Sequence, residues 1–211
     1  MARLDDYINA KKIAADKLSK KSVDEIAKGS EFKMAGDNKI RAPFLDRVYR
    51  VSWPDFGFED EAYEKQEIPI QEQVLILHYM MGAGDSSVTG NWIAYREMPG
   101  ASFYFSAFVK RAIEPLKKVF GQNIAELVKA STSMNGTAIE TGAAGFEFQV
   151  FPKVPLRLIV WEGDNEFPAE ANILFDEVIG QILSPEDAAW LAGMLVYRII
   201  RTSSYPPPIT D

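Results

Sequence analysis

The chain has 211 residues, 47% of them apolar and 25% charged, which is enough to bury a core and far from the composition of a disordered chain. Its net charge of −7 argues against nucleic acid as the main partner, because phosphate backbones require clustered Lys and Arg. It has no cysteine, so disulfides, thiolate metal sites, iron–sulfur clusters and cysteine nucleophiles supplied by this chain are excluded.

The opening Met-Ala-Arg-Leu-Asp-Asp lacks the apolar core of a signal peptide, and no run reaches the roughly 18 apolar residues of a membrane span. A soluble cytoplasmic protein without membrane contact is expected. Leu4, Ile8, Ala14 or Ala15 and Leu18 recur at helical spacing, with Asp5 and Asp6 early and lysines later, an order that suits the helix dipole. Ser22 and Glu25 form a capping-box signature for a second short helix, with Gly29 as its expected stop. Residues 1–30 therefore read as an N-terminal helical arm whose lysines and acids make a solvated face.

From Glu31 the period changes to that of strands. Gly36-Asp37-Asn38 is a hairpin-like turn, and Arg47 to Trp53 alternates as a strand closed by Pro54. The acidic stretch from Asp55 to Glu67 is expected as an irregular strand or a surface flap. Pro69 opens a buried helix over 71–81 that ends at a flexible Gly82-Ala-Gly84 turn. Asn91 to Glu97 reads as a strand broken by Pro99, and 102–120 as a long helix kinked at Pro115. A short helix follows over 123–133.

Gly145 to Phe151 alternates cleanly and is expected to pair antiparallel with the strand Leu156 to Trp161. A short apolar helix after Asp176 precedes Ser184-Pro-Glu-Asp187, the strongest helix start in the chain, with a largely buried helix running to about Arg201. Tyr205-Pro-Pro-Pro208 lies in a proline-rich tail, 204–211. The resulting fold class is α+β: a single domain over 31–203 with a largely antiparallel mixed sheet packed by helices.

Phosphate-loop, dinucleotide and Gly-x-Ser-x-Gly motifs are all missing. His78 is the only histidine, so any catalytic triad must use it and a multi-histidine zinc site within the chain is excluded. A lone histidine on an apolar helix more often serves the core. Between Trp161 and Asp176 the chain places Glu162, Asp164, Glu166 and Glu170. Their oxygens would suit Mg²⁺ or Ca²⁺, although the spacing is not that of an EF-hand, or they would run acid–base chemistry if burial split their pKa values. The competing expectation is a solvated turn, ordered by Phe167-Pro168. Arg96-Glu97 reads as an internal ion pair or as a guanidinium presented to an anion. No pattern identifies a cofactor or a metal-ligand set.

Gln73 to Met81, Gly90 to Glu97, Val154-Pro155, Trp161 to Glu170, Ile173 to Asp176 and Ser184 to Asp187 together resemble the uncharacterised prokaryotic family catalogued as domain of unknown function 3786. The resemblance covers roughly residues 40–200. It implies an accessory protein of anaerobes, some of whose relatives carry a cysteine-rich iron–sulfur domain, whereas these 211 residues contain no cysteine. It marks His78, Trp92, Arg96, Glu97, Trp161, Asp164, Glu166 and Asp176 without assigning them roles. The reading that follows is a binding or accessory protein that holds a small-molecule ligand, cofactor or protein partner near the turn 161–170. The alternative is a carboxylate-dependent hydrolase or lyase using His78 or a divalent ion.

Overall fold

A computed structural model of the chain describes residues 4–63 and 66–203. The proline-rich tail expected at 204–211 lies outside the described residues. The architecture is α+β with two antiparallel sheets, one of four strands and one of five. The chain divides into two compact units. The first takes the residues up to Ser87 together with Phe151–Lys153 and Gln181–Leu183; the second takes Val88–Val150, Val154–Gly180 and the residues from Ser184 onward.

In the first unit, α1 (Leu4–Leu18) and α2 (Val23–Ser30) pack against α3 (Ile70–Gly82). The buried side of α1 is rotated from the one its apolar residues suggest. Ala14 and Leu18 are buried, whereas Leu4 is 63% and Ile8 52% exposed. The capping box of α2 forms as expected, with Ser22 Oγ accepting from Glu25 N and Glu25 Oε2 accepting from Ser22 N. Its end differs from the expectation. Gly29 stays helical, and Glu31 takes the left-handed backbone with φ 58°, its N–H bonding the carbonyl of Lys28.

Four strands follow in the order β1 (Lys33–Met34), β2 (Lys39–Phe44), β3 (Arg47–Ser52) and β4 (Phe58–Asp60). The period-2 pattern turns Ile40, Ala42 and Phe44 inward beside Tyr49 and Val51. Phe32, Phe44, Tyr79 and Phe151 cluster there, with Tyr79 stacked on Phe151 at 4.2 Å between ring centres. The acidic stretch after Asp55 contains the short strand β4, and its Asp60 is buried against Arg47 at 2.7 Å. Gly82 is the last residue of α3, and a side chain there would meet the carbonyl of Ile182.

In the second unit, β5 (Trp92–Ala94), β6 (Thr137–Ile139), β7 (Ala144–Phe151), β8 (Val154–Trp161) and β9 (Glu170–Asp176) form a sheet of order β5-β9-β8-β7-β6. The expected neighbours β7 and β8 are joined through a two-residue connection. Tyr95–Glu97, expected as strand, forms a 3₁₀ turn instead, because Glu97 Oε2 accepts from Ala94 N at 2.6 Å and curls the chain. Leu156, Leu158, Ile173 and Phe175 face the core, and α5 (Glu114–Phe120) packs on β8 and β9.

The kink expected at Pro115 is a π-turn over Val109–Ile113 between α4 (Phe105–Phe108) and α5. Pro115 has no N–H for the carbonyl of Arg111, and Glu114 N reaches back five residues to Val109 O. Helix α6 (Ile124–Ser133) and the long α8 (Pro185–Thr202) complete the helical layer. The short α7 (Ile179–Ile182) precedes α8. Ser184 caps α8, its Oγ accepting from Asp187 N at 3.1 Å while Asp187 Oδ2 accepts from Ser184 Oγ at 2.7 Å. Ser184→Ala is expected to cost about 1 kcal/mol in urea unfolding, the usual loss for a helix N-cap.

Candidate functional site

Seven of the eight marked residues lie in the second unit, and His78 lies in the first, half-buried on α3 between the buried Leu77 and Tyr79. Asp176 ends β9 in register with Trp92 of β5 and is 1% exposed. Its Oδ2 accepts from Gly90 N at 2.6 Å and Thr89 N at 3.0 Å, and its Oδ1 from Thr89 Oγ1 and Val178 N, both at 3.0 Å. Burial alone would raise this carboxyl, but the hydrogen bonds from Val178, Thr89 and Gly90 together hold it below the usual carboxylate range. Asp176 is thus an ionised clamp that ties residues 89–90 to the end of β9.

The acidic turn has a different construction. Trp161 and Glu170 face each other at the mouth of the β8–β9 hairpin, and Trp161 is 40% exposed. Between them Gly163 N donates to Gly121 O at 3.0 Å, and Asp164 N donates to Phe167 O at 2.9 Å. Asp164 Oδ1 accepts from Glu166 N at 2.8 Å and Phe167 N at 2.7 Å, so the side chain closes the turn on itself. The amides of Phe167 and then Glu166 lower the pKa of Asp164. A Cβ at Gly163 would stand 2.5 Å from Ala169 N and 2.6 Å from Gln122 Nε2, so only glycine fits there. The turn is rigid, and its acids Glu162, Asp164, Glu166 and Glu170 are exposed. At its tip Phe167 is 68% exposed.

Arg96 does not turn to Glu97; its guanidinium lies over the Phe105 ring at 3.7 Å while Glu97 caps its own backbone. Trp92 is half-buried beneath Arg157, whose guanidinium sits 4.0 Å from the indole and donates to Glu147 Oε2 at 2.9 Å. Sequence reasoning missed Arg157. Its signal was its outward position in an otherwise apolar strand, a place where an arginine needs a partner. It also gave no weight to Phe167 as an exposed group, although the chain around it is a short proline-bearing turn with acids at 162, 164, 166 and 170.

The arrangement bears on chemistry. Two carboxylates with unequal pKa values would mark an acid and a base, yet Asp164 and Asp176 both shift downward. Asp164 accepts two backbone amides on Oδ1, and Asp176 accepts three backbone amides and the Thr89 hydroxyl. Among the described residues no three His, Asp or Glu side chains converge in a way that could hold a metal ion. No helix among them is long and apolar enough to cross a membrane.

The chain belongs to the family described as Domain of unknown function (DUF3786), whose sequence profile matches residues 22–198. No curated protein matches the chain, and no solved structure matches it.

Proposed function

We propose that this member of the family is a cytoplasmic accessory protein that docks a protein partner through the acidic turn between Trp161 and Glu170. The observation that carries the reading is Phe167, held 68% exposed at the tip of a turn that Asp164 and Gly163 make rigid. An exposed aromatic on a preorganised backbone loses little entropy on binding and suits the centre of an interface. The surrounding Glu162, Glu166 and Glu170, with the half-exposed Trp161, select a partner that offers an apolar pocket ringed by Lys and Arg. The hydrolase or lyase reading has less support, because Asp164 and Asp176, the marked carboxylates with displaced pKa values, both serve as backbone acceptors.

A photoreactive benzophenone side chain at position 167, in cells of the organism that encodes the chain, is expected to give a discrete protein adduct. Glu166→Lys with Glu170→Lys is expected to remove it. Phe103, 85% exposed in the same unit but outside the turn, is the control. No adduct at 167, or the same adducts at 103 and 167, would overturn the reading.

A further inference from the structure

A second feature lies wholly in the first unit and is independent of partner docking. An open cleft of about 450 Å³ is bounded by α2 and by the segment 84–87 after α3, with Lys153 at its base. That size is ordinary for a small-metabolite site.

Lys153 sits in the two-residue connection between β7 and β8, and its N–H donates to Tyr79 Oη at 3.2 Å, which fixes the backbone. Its side chain is only 7% exposed. The ammonium donates to Gly84 O at 2.7 Å, and among the described residues its ion-pair partner is Glu31 Oε1 at 3.8 Å, beyond hydrogen-bonding distance. An ammonium has three N–H groups and carries a full charge. One carbonyl and one 59% exposed carboxylate at 3.8 Å leave two of its three N–H groups without a hydrogen-bond partner among the described residues.

The walls supply matching groups. Lys28 projects from α2, and Lys21 stands just before it. Ser86 and Ser87 offer adjacent hydroxyls from the facing segment. Among the described residues none of these four side chains makes a hydrogen bond or an ion pair. On the acidic side the lining holds Glu25, which accepts from Ser22 and stands near Lys21, and Asp85, so the three lysines outnumber the acids by one. Three lysines and two neighbouring serines line one space. A tetrahedral dianion with several acceptor oxygens uses that set more fully than a planar carboxylate does.

We propose that this cleft binds the phosphate group of a small phosphorylated metabolite, with Lys153 at the base and Lys28, Ser86 and Ser87 around it. The site is not a phosphate-binding loop of the nucleotide type, since Gly82 to Ser87 lacks the required lysine and spacing. Recognition rests on side-chain ammonium and hydroxyl groups.

The test is titration calorimetry of the full chain with inorganic phosphate and with ribose 5-phosphate at constant ionic strength. Saturable binding is expected, tighter for the sugar phosphate. Lys28→Ala with Ser86→Ala changes exposed or half-exposed positions and is expected to weaken it about tenfold, the loss of one or two charge-assisted hydrogen bonds. Lys153→Met is expected to abolish it, with a thermal melt to confirm the fold. Glu31→Gln removes the competing carboxylate and is expected to tighten binding several-fold, a gain that a purely structural Lys153 would not give. No binding of either phosphate, equal affinity in the Lys28/Ser86 variant, no gain from Glu31→Gln, or malonate binding as tightly as phosphate would each overturn the proposal.

Discussion

Asp176→Ala is expected to lower the unfolding free energy of the full chain by about 4 kcal/mol. The estimate follows from the number of donors abandoned. Gly90 N, Thr89 N, Val178 N and Thr89 Oγ1 all point at this 1% exposed carboxylate, and alanine leaves them facing one another across a small void. An unsatisfied buried donor costs about 1–3 kcal/mol, and residues 88–90 are exposed enough for water to recover part of the loss. Asp176→Asn keeps one acceptor oxygen and turns an NH₂ toward the amides, so about half the loss is expected. The pH dependence has a definite sign. The folded pKa lies below the unfolded one, so the carboxylate's contribution is fully present above an unfolded pKa near 4 and is lost as pH falls through the folded value. Urea unfolding at neutral pH and near pH 3 should therefore show the gap between wild type and Asp176→Ala shrinking in acid. A gap below about 1 kcal/mol at neutral pH would mean that water already satisfies the amides.

That carboxylate also shows what the sequence made legible. Signals confined to a few neighbouring residues translated directly into structure: the Ser22–Glu25 and Ser184–Asp187 caps, the turn at 36–38, the alternation through 145–151, and the break near Pro115. Asp176 stood out as an acid closing an apolar run, but its role depends on Thr89 and Gly90, far away in the chain, and no local pattern announces them. Gly82 is similar. Beside Gly84 it reads as a flexible turn, yet it is helical, and what demands glycine is the backbone of Ile182. The strand Thr137–Ile139 was invisible because three mostly exposed residues carry no period. Seven of the candidate site's residues fall in one unit, but which acids are occupied by backbone amides and which face water is decided by tertiary geometry.

Tyr79→Ala is expected to have the larger effect, about 5 kcal/mol, which is comparable to the whole stability of a typical domain. Two losses add. The ring is 0% exposed, lies 4.2 Å from Phe151 at an interplanar angle of 6°, and touches Phe32 with centroids 5.2 Å apart. Deleting a buried aromatic costs about 3–5 kcal/mol in transfer and cavity terms. The hydroxyl also donates to Ser30 O at 2.8 Å and accepts from Lys153 N at 3.2 Å, and burial raises its pKa above the ordinary phenol range, so it remains a neutral donor. Tyr79→Phe separates the two terms. It keeps the stack and strands one carbonyl and one amide, for an expected loss of about 2 kcal/mol. Urea unfolding of the full chain, wild type against both variants, reads the difference. If Tyr79→Phe were as damaging as Tyr79→Ala, the polar bridge from α2 through α3 to Lys153 would outweigh the aromatic cluster in holding the first unit together. If Tyr79→Phe were neutral, Ser30 O and Lys153 N would have to find other partners, and the fixed placement of Lys153 would have to come from its side chain alone.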